Sequence, residues 1–212
     1  MENKIHTVIF DLDGTLSDSA ILVAIAMASA APKYGIPVPD SEAIRKAIGY
    51  ANPEFYYKLF PDIPRDTLLE MGRLVESEEL RLLPEISGRL LFKGCRELLT
   101  ELTARGIRLT IASTGDTDHV FSILRETGIT GFFDTVSCGR PDKIEMLREM
   151  TGARDKSGYV MVGDMRKDSD GARANGILSV GACYGYCVRE LAEFDRYIDS
   201  PQELLSVLNI IT

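Results

Sequence analysis

The chain is predicted to be an α/β protein, a doubly wound parallel-sheet core interrupted near its start by an inserted all-α segment. Three observations predict it. An apolar, strand-like run, Thr7 to Phe10, ends directly in a polar cluster, Asp11-Leu12-Asp13-Gly14-Thr15. From Asp18 to Leu83 only helical periodicity is found. From Lys93 onward short apolar runs alternate with amphipathic helices, the pattern of βα units whose parallel strands are covered on both faces. The first strand belongs to that sheet. The core is therefore expected from residues 1–15 and 86–212, and the helical insertion from 16–85.

Each element has its own signal. Ser19 to Tyr34 reads as a helix closed by Gly35 and the prolines of "GIPVP". Asp40 or Ser41 suits the cap of a second helix, which runs to Ile48 and stops at Gly49. Pro53 to Phe60 and Asp66 to Leu82 give two more, separated by "PDIP", and the pattern changes after Pro84. In the core, "GCRELLTELTARG" is a helix and "IRLTIAS" a strand. A helix near Asp118 to Thr127 follows, then the strand "FFDTVS". Lys143 to Met150 is helical, "YVMVGD" a strand, Asp168 to Asn175 a helix and "ILSVGA" a strand. Ser200-Pro201-Gln202-Glu203 has the residues of a capping box, opening the last helix.

Composition narrows the function. With 212 residues, 45% hydrophobic and 26% charged, the chain has an ordinary globular make-up. A net charge of -8 argues against nucleic acid or an anionic membrane as the main partner, since both need a basic footprint. A small anionic substrate responds instead to a local field. Ile21 to Ala31 is apolar but too short to span a bilayer, and reads as a buried helix. Cys95, Cys138, Cys183 and Cys187 form no C-x-x-C pair, and the only histidines are His6 and His119, so a structural zinc site is not expected. Without a signal peptide, reduced thiols and a cytoplasmic location are the expectation, with Cys183 and Cys187 as buried apolar filling.

The chemistry gathers at strand ends. In parallel α/β sheets ligands lie outside the carboxyl ends of the strands. Four such ends are polar here: Asp11 to Thr15, Ser113-Thr114-Gly115, Gly139-Arg140-Pro141-Asp142-Lys143, and Gly163-Asp164 with Asp168 four residues on. Asp11, Asp13, Asp164 and Asp168 on one edge repel each other unless a divalent cation neutralises them. An all-oxygen ligand set suits Mg²⁺, which is habitually shared with phosphate. Ser113 offers a hydroxyl and Lys143 a cation for phosphate oxygens, with backbone N–H groups near Gly14 and Gly115 as further donors. No Ser-His-Asp set can be drawn from His6 and His119, so a carboxylate is the natural nucleophile. Ser113 and Asp168 also suit helix caps, and Lys143 a solvated helix residue. Thr114 is kept as a substrate-contact candidate, although Thr114 and His119 both read more readily as structural.

These motifs resemble the haloacid dehalogenase superfamily of hydrolases, with a Rossmann-like core and a helical cap inserted after the first motif. "DLDGT" resembles that family's first motif, "IAS" its second and "VGDMRKDSDGARANGI" its fourth. The resemblance implies Asp11 as the nucleophile that forms an aspartyl-phosphate, and Asp13 as general acid and base, its main-chain carbonyl also reaching Mg²⁺. It implies Ser113 as a phosphate-oxygen contact, and Asp164, supported by Asp168, as a metal ligand. Where many capped relatives carry Gly-Lys-Pro, this chain has Gly139-Arg140-Pro141, so Lys143 is taken as the third-motif cation, with Arg140 as second choice. The division of labour between the two carboxylates predicts a low pKa for Asp11 and a higher one for Asp13.

The expected activity is a Mg²⁺-dependent phosphatase acting on a small phosphorylated metabolite, similar to phosphoglycolate phosphatases. A β-phosphoglucomutase-type mutase is the enzymatic alternative and a non-enzymatic phospho-receiver the distant one. Arg45, Lys46, Tyr50 and Asn52, around Gly49, are the cap candidates for the leaving group, with Arg45 as a substrate contact.

Overall fold

The computed structural model describes residues 5–153, 155–186 and 193–209. Six strands form one parallel sheet: β1 (Thr7–Phe10), β2 (Arg108–Ala112), β3 (Thr135–Ser137), β4 (Tyr159–Gly163), β5 (Leu178–Ala182) and β6 (Arg196–Ile198), in the order β3-β2-β1-β4-β5-β6. Successive side chains of a strand point to opposite faces, and the core divides accordingly. Val8 and Phe10 of β1, with Val160 and Val162 of β4, join one apolar layer, while Ile9 and Met161 join the other. The first layer is completed by α5 (Cys95–Ala104) and α6 (Thr117–Glu126), the second by α7 (Lys143–Thr151) and α8 (Arg166–Asn175). The predicted α/β class with a parallel sheet is therefore the observed one. The short edge strand β6 was not anticipated, because three residues carry too little periodicity to register.

Strand order reverses at β1: the chain first builds outward through β2 and β3, then crosses back to place β4 on β1's other side. A crevice opens at the carboxyl ends of strands where order reverses, and there the first and fourth polar clusters meet.

Between β1 and β2 lie α1 (Ala20–Ala30), α2 (Ser41–Ala47), α3 (Glu54–Leu59) and α4 (Arg65–Ile86). They enclose an apolar cluster of their own, including Met27, Ile44, Phe55, Leu68 and Met71. The helix α1 is apolar on nearly every side because it packs along α4 and against α2. The expected break at Pro84 does not occur: α4 runs on to Ile86, and buried Leu83 and partly buried Ile86 pack into the sheet's core cluster. The helix α9 (Glu203–Val207) starts three residues after Ser200, whose hydroxyl donates to Glu203 Oε1 at 3.0 Å.

Two linkers join insertion and sheet, and they pair with each other. The Asp18 N–H donates to the Leu90 carbonyl at 2.7 Å and the Phe92 N–H to the Leu16 carbonyl at 3.0 Å. Cys95 is buried, but Cys183 is half-buried rather than the expected core filling, and Cys187 lies outside the described residues. Among the described residues no helix is long and apolar enough to cross a membrane.

Candidate functional site

Asp11 continues the central strand by one residue, its N–H donating to the Val162 carbonyl at 2.8 Å. The chain then turns sharply, with the Leu16 and Ser17 N–H groups both on the Leu12 carbonyl at 2.9 Å. Gly14 makes this turn with φ +78, and a methyl group there would run into the Asp164 carboxylate and the Tyr186 ring. Close approach of two motifs thus requires glycine. The Gly14 N–H goes to the Ser17 carbonyl (2.8 Å) and the Gly115 N–H to Ser113 Oγ (3.0 Å), so any phosphate donor in these turns is a neighbouring N–H.

Asp11, Asp164 and Asp168 are buried together, each offering an oxygen within 4.8 Å of the others. Their partners separate them. Asp164 Oδ1 accepts from the Thr15 hydroxyl at 3.1 Å, while its Oδ2 is buried without a hydrogen-bond partner. Both Asp168 oxygens are taken, Oδ1 by the Lys143 ammonium at 2.6 Å and Oδ2 by the Met165 N–H at 2.9 Å. Lys143, only 3% exposed, also lies 2.9 Å from Asp11 Oδ1, which accepts the Leu12 N–H at 2.8 Å. Asp142 sets this lysine by capping α7, accepting from the Ile144 and Glu145 N–H groups. Arg140 instead sits at the surface, forked onto Glu149 at 2.9 and 2.8 Å.

The donor set fits a hard divalent cation. Burial pushes the Asp11 carboxyl up to about 7, opposed by Lys143 and reinforced by Asp168 and Asp13. Asp164 is raised well above its ordinary range by burial and then by Asp11 and Asp168. Clustered buried carboxylates with one orphaned oxygen are what oxygen-seeking Mg²⁺ would compensate. Burial also works against charge on Asp13, but the adjoining His119 imidazole overcomes it, and this carboxyl sits below its ordinary value. The low value predicted for Asp11 belongs to a metal-held carboxylate; without a cation Asp11 is raised by burial, and Asp13, predicted the higher of the two, is lowered instead. The reason is a neighbour, His119, that local sequence does not reveal.

His119, read from the sequence as structural, adjoins the first motif. Its Nε2 lies 3.0 Å from Asp13 Oδ1 and its Nδ1 3.2 Å from Glu79 Oε2 on α4. The one available signal was its place six residues after Ser113, in the first turn of the helix that follows the second motif, too weak to use alone.

Asp11 and Asp13 open into a cavity of about 770 Å³ between the sheet edge and the helical insertion. Thr114 lines it, and its hydroxyl donates to the Gly49 carbonyl at 3.2 Å. Lys167 of α8 reaches the same carbonyl at 2.7 Å, so two core side chains hold the Gly49 loop. Of the leaving-group candidates, Tyr50 and Asn52 line the cavity, Asn52 donating to Glu76 Oε1 (2.9 Å) and Asp116 Oδ2 (3.1 Å). Arg45 and Lys46 do not line it, which corrects the expectation of a substrate contact at Arg45. Arg45 faces Asp18 at 3.7 Å and the Tyr186 ring, and Lys46 pairs with Glu42 in solvent.

The chain is 32% identical over 194 residues to the tyrosine-protein kinase PtkA of Mycobacterium tuberculosis, a match covering 84% of this chain and 62% of the relative, so it spans under two thirds of that protein's length. It is 28% identical over 236 residues to the phosphoglycolate phosphatase of Escherichia coli K12, covering 97% of this chain and 93% of the relative. The crystal structure of a predicted phosphoglycolate phosphatase from Haemophilus somnus 129PT superimposes with a TM-score of 0.85 at 22% identity, over 96% of this chain and 97% of the other. The family model for haloacid dehalogenase-like hydrolases matches residues 8–182. By that match, which runs from the central strand through β5, the chain belongs to the haloacid dehalogenase-like hydrolase family.

Proposed function

We propose that the protein is a Mg²⁺-dependent phosphatase that hydrolyses a small phosphomonoester through an aspartyl-phosphate on Asp11. The observation that carries this reading is the surrounding of Asp11: a buried carboxylate at the end of the central strand, 2.9 Å from Lys143 and beside the orphaned Asp164 Oδ2. Asp11 and Asp164, with the main-chain carbonyl of Asp13, would hold the metal. Bound there, it supplies charge neutralisation and polarisation of phosphoryl oxygens. Asp168, with both oxygens engaged, holds Lys143 in place instead of serving as a ligand.

The residues then divide the work. Asp11 attacks phosphorus, the bond to the leaving oxygen breaks, and the Asp13 carboxyl proton passes to that oxygen, releasing an alcohol. In the second half a water attacks phosphorus, Asp13 takes its proton, and the bond to Asp11 breaks to release inorganic phosphate. Lys143 and Ser113 stabilise the phosphoryl oxygens. Residues 16–85 act as a cap that excludes bulk water and selects the leaving group through the Gly49–Asn52 loop. The phosphoglycolate phosphatase relatives support a small phosphorylated metabolite as substrate.

The test is phosphate release across two- and three-carbon phosphates, sugar phosphates, nucleoside monophosphates and aryl phosphates, each with Mg²⁺ and with EDTA. Metal-dependent release from at least one class is expected. Release undiminished in metal-free buffer, or conversion of a sugar phosphate to its isomer without net release, would overturn the reading.

A further inference from the structure

We infer that His119 is a positioning residue for Asp13, set in turn by Glu79 of the helical insertion, so that a side chain of the insertion helps organise proton transfer to the leaving oxygen. The inference rests on the reading of Asp13 as proton donor and acceptor. Its basis is a three-residue chain across two parts of the fold. Glu79 comes from α4 of the insertion, His119 from α6 of the core, and Asp13 from the turn after β1. All three line the cavity that Asp11 enters.

A carboxylate on a short side chain rotates freely unless something holds one oxygen. Here the imidazole holds Asp13 Oδ1 at 3.0 Å, which fixes one oxygen of the carboxyl. The ring itself is steadied from its other nitrogen by Glu79 Oε2 at 3.2 Å. With a carboxylate oxygen at each ring nitrogen, the imidazole donates to both, and the second contact fixes the ring that holds the first. In this protein the orienting carboxylate belongs to α4 of the inserted segment, which two linkers join to the core, so the contact with His119 spans the insertion and the core.

A surface ion pair that merely joined the two halves would be worth little and would affect all substrates alike. A positioning role instead predicts sensitivity to how much protonation the leaving group needs. The experiment compares kcat/KM for phenyl phosphate and p-nitrophenyl phosphate, the latter leaving readily without a proton. In His119→Ala the phenyl phosphate value should fall roughly tenfold or more beyond any fall with p-nitrophenyl phosphate, within the range general acids supply. Glu79→Ala should show the same discrimination to a lesser degree. His119→Asn, which keeps a donor toward Asp13, should recover part of it. Because both substrates are measured on one preparation, the ratio does not depend on the fraction folded.

Asp13→Asn is the control. If Asp13→Asn discriminates and His119→Ala lowers both substrates equally, the inference falls and the role of Asp13 stands. Failure of Asp13→Asn to discriminate would overturn both. Discrimination in His119→Ala with none in Glu79→Ala would remove the link to the cap.

Discussion

Lys143 and Asp168 form a buried ion pair, Nζ to Oδ1 at 2.6 Å, and the same ammonium lies 2.9 Å from Asp11 Oδ1. One carboxylate holds the cation and the other uses it. Burial lowers the affinity of Lys143 for its proton, but Asp11 and Asp168 more than reverse that, so the lysine stays charged. A charged group at hydrogen-bond distance from a developing phosphoryl oxygen is worth several kcal/mol where water is excluded, on the order of 10²-fold in rate. Lys143→Ala is expected to lower kcat/KM by about that factor, whereas Arg140→Ala should stay within roughly threefold, as for exposed surface pairs. Steady-state kinetics on one substrate decides it, and the reverse ranking would move the third-motif role to Arg140.

The second prediction separates Asp164 from Asp168. Asp164 has an unpartnered buried oxygen, and Asp168 has none to spare. Asp164→Asn should weaken Mg²⁺ binding by at least roughly tenfold, the scale of losing a direct ligand. Asp168→Asn should leave Mg²⁺ affinity nearer that of the unaltered protein while depressing kcat through Lys143. Isothermal titration of Mg²⁺ into each variant checks this; equal losses of affinity would make Asp168 a ligand.

A third prediction concerns pH in the absence of metal. Chiefly because of burial, the Asp11 carboxyl is raised from 3.8 to about 7. A carboxyl raised on folding contributes stability that is complete below its unfolded value and is lost as pH rises through its folded value. In EDTA, therefore, Asp11→Asn should gain stability relative to the unaltered protein as pH climbs between those two values, and level off above. Saturating Mg²⁺ should close the gap, since the metal binds the ionised carboxylate. Urea midpoints across that window test the sign, and a gap that shrinks with rising pH in EDTA would count against it.

The fourth prediction distinguishes the two carboxylates of the first motif. Asp11→Asn should form no phosphoenzyme. Asp13→Asn should still be phosphorylated by p-nitrophenyl phosphate, whose leaving group needs little protonation, and should then hydrolyse the aspartyl-phosphate slowly for want of a base. Intact-mass spectrometry after acid quench should find one added phosphoryl group on the second variant alone. Labelling of Asp11→Asn on the same timescale would exclude it as nucleophile.

Much of this protein was legible in the order of its residues. Runs such as Thr7–Phe10 and Tyr159–Gly163 announce buried parallel strands, because burial on both faces leaves no room for polar alternation. Strand ends in a parallel sheet share one edge, so Asp11, Ser113 and Asp164 could be assigned to one place before any coordinate was known. These are properties of neighbours in the chain, and neighbours are what a sequence records. Tertiary structure decided the rest. Lys143 and Arg140 sit three residues apart, yet one faces the buried carboxylates and the other Glu149 at the surface, a choice made by how α7 packs on the sheet. Arg45 turns away from the cavity for the same kind of reason. His119 meets Asp13 across 106 residues and Glu79 across 40. Hydrogen bonds between side chains so far apart depend on where whole helices come to rest, and no local pattern of charge or hydrophobicity encodes that distance.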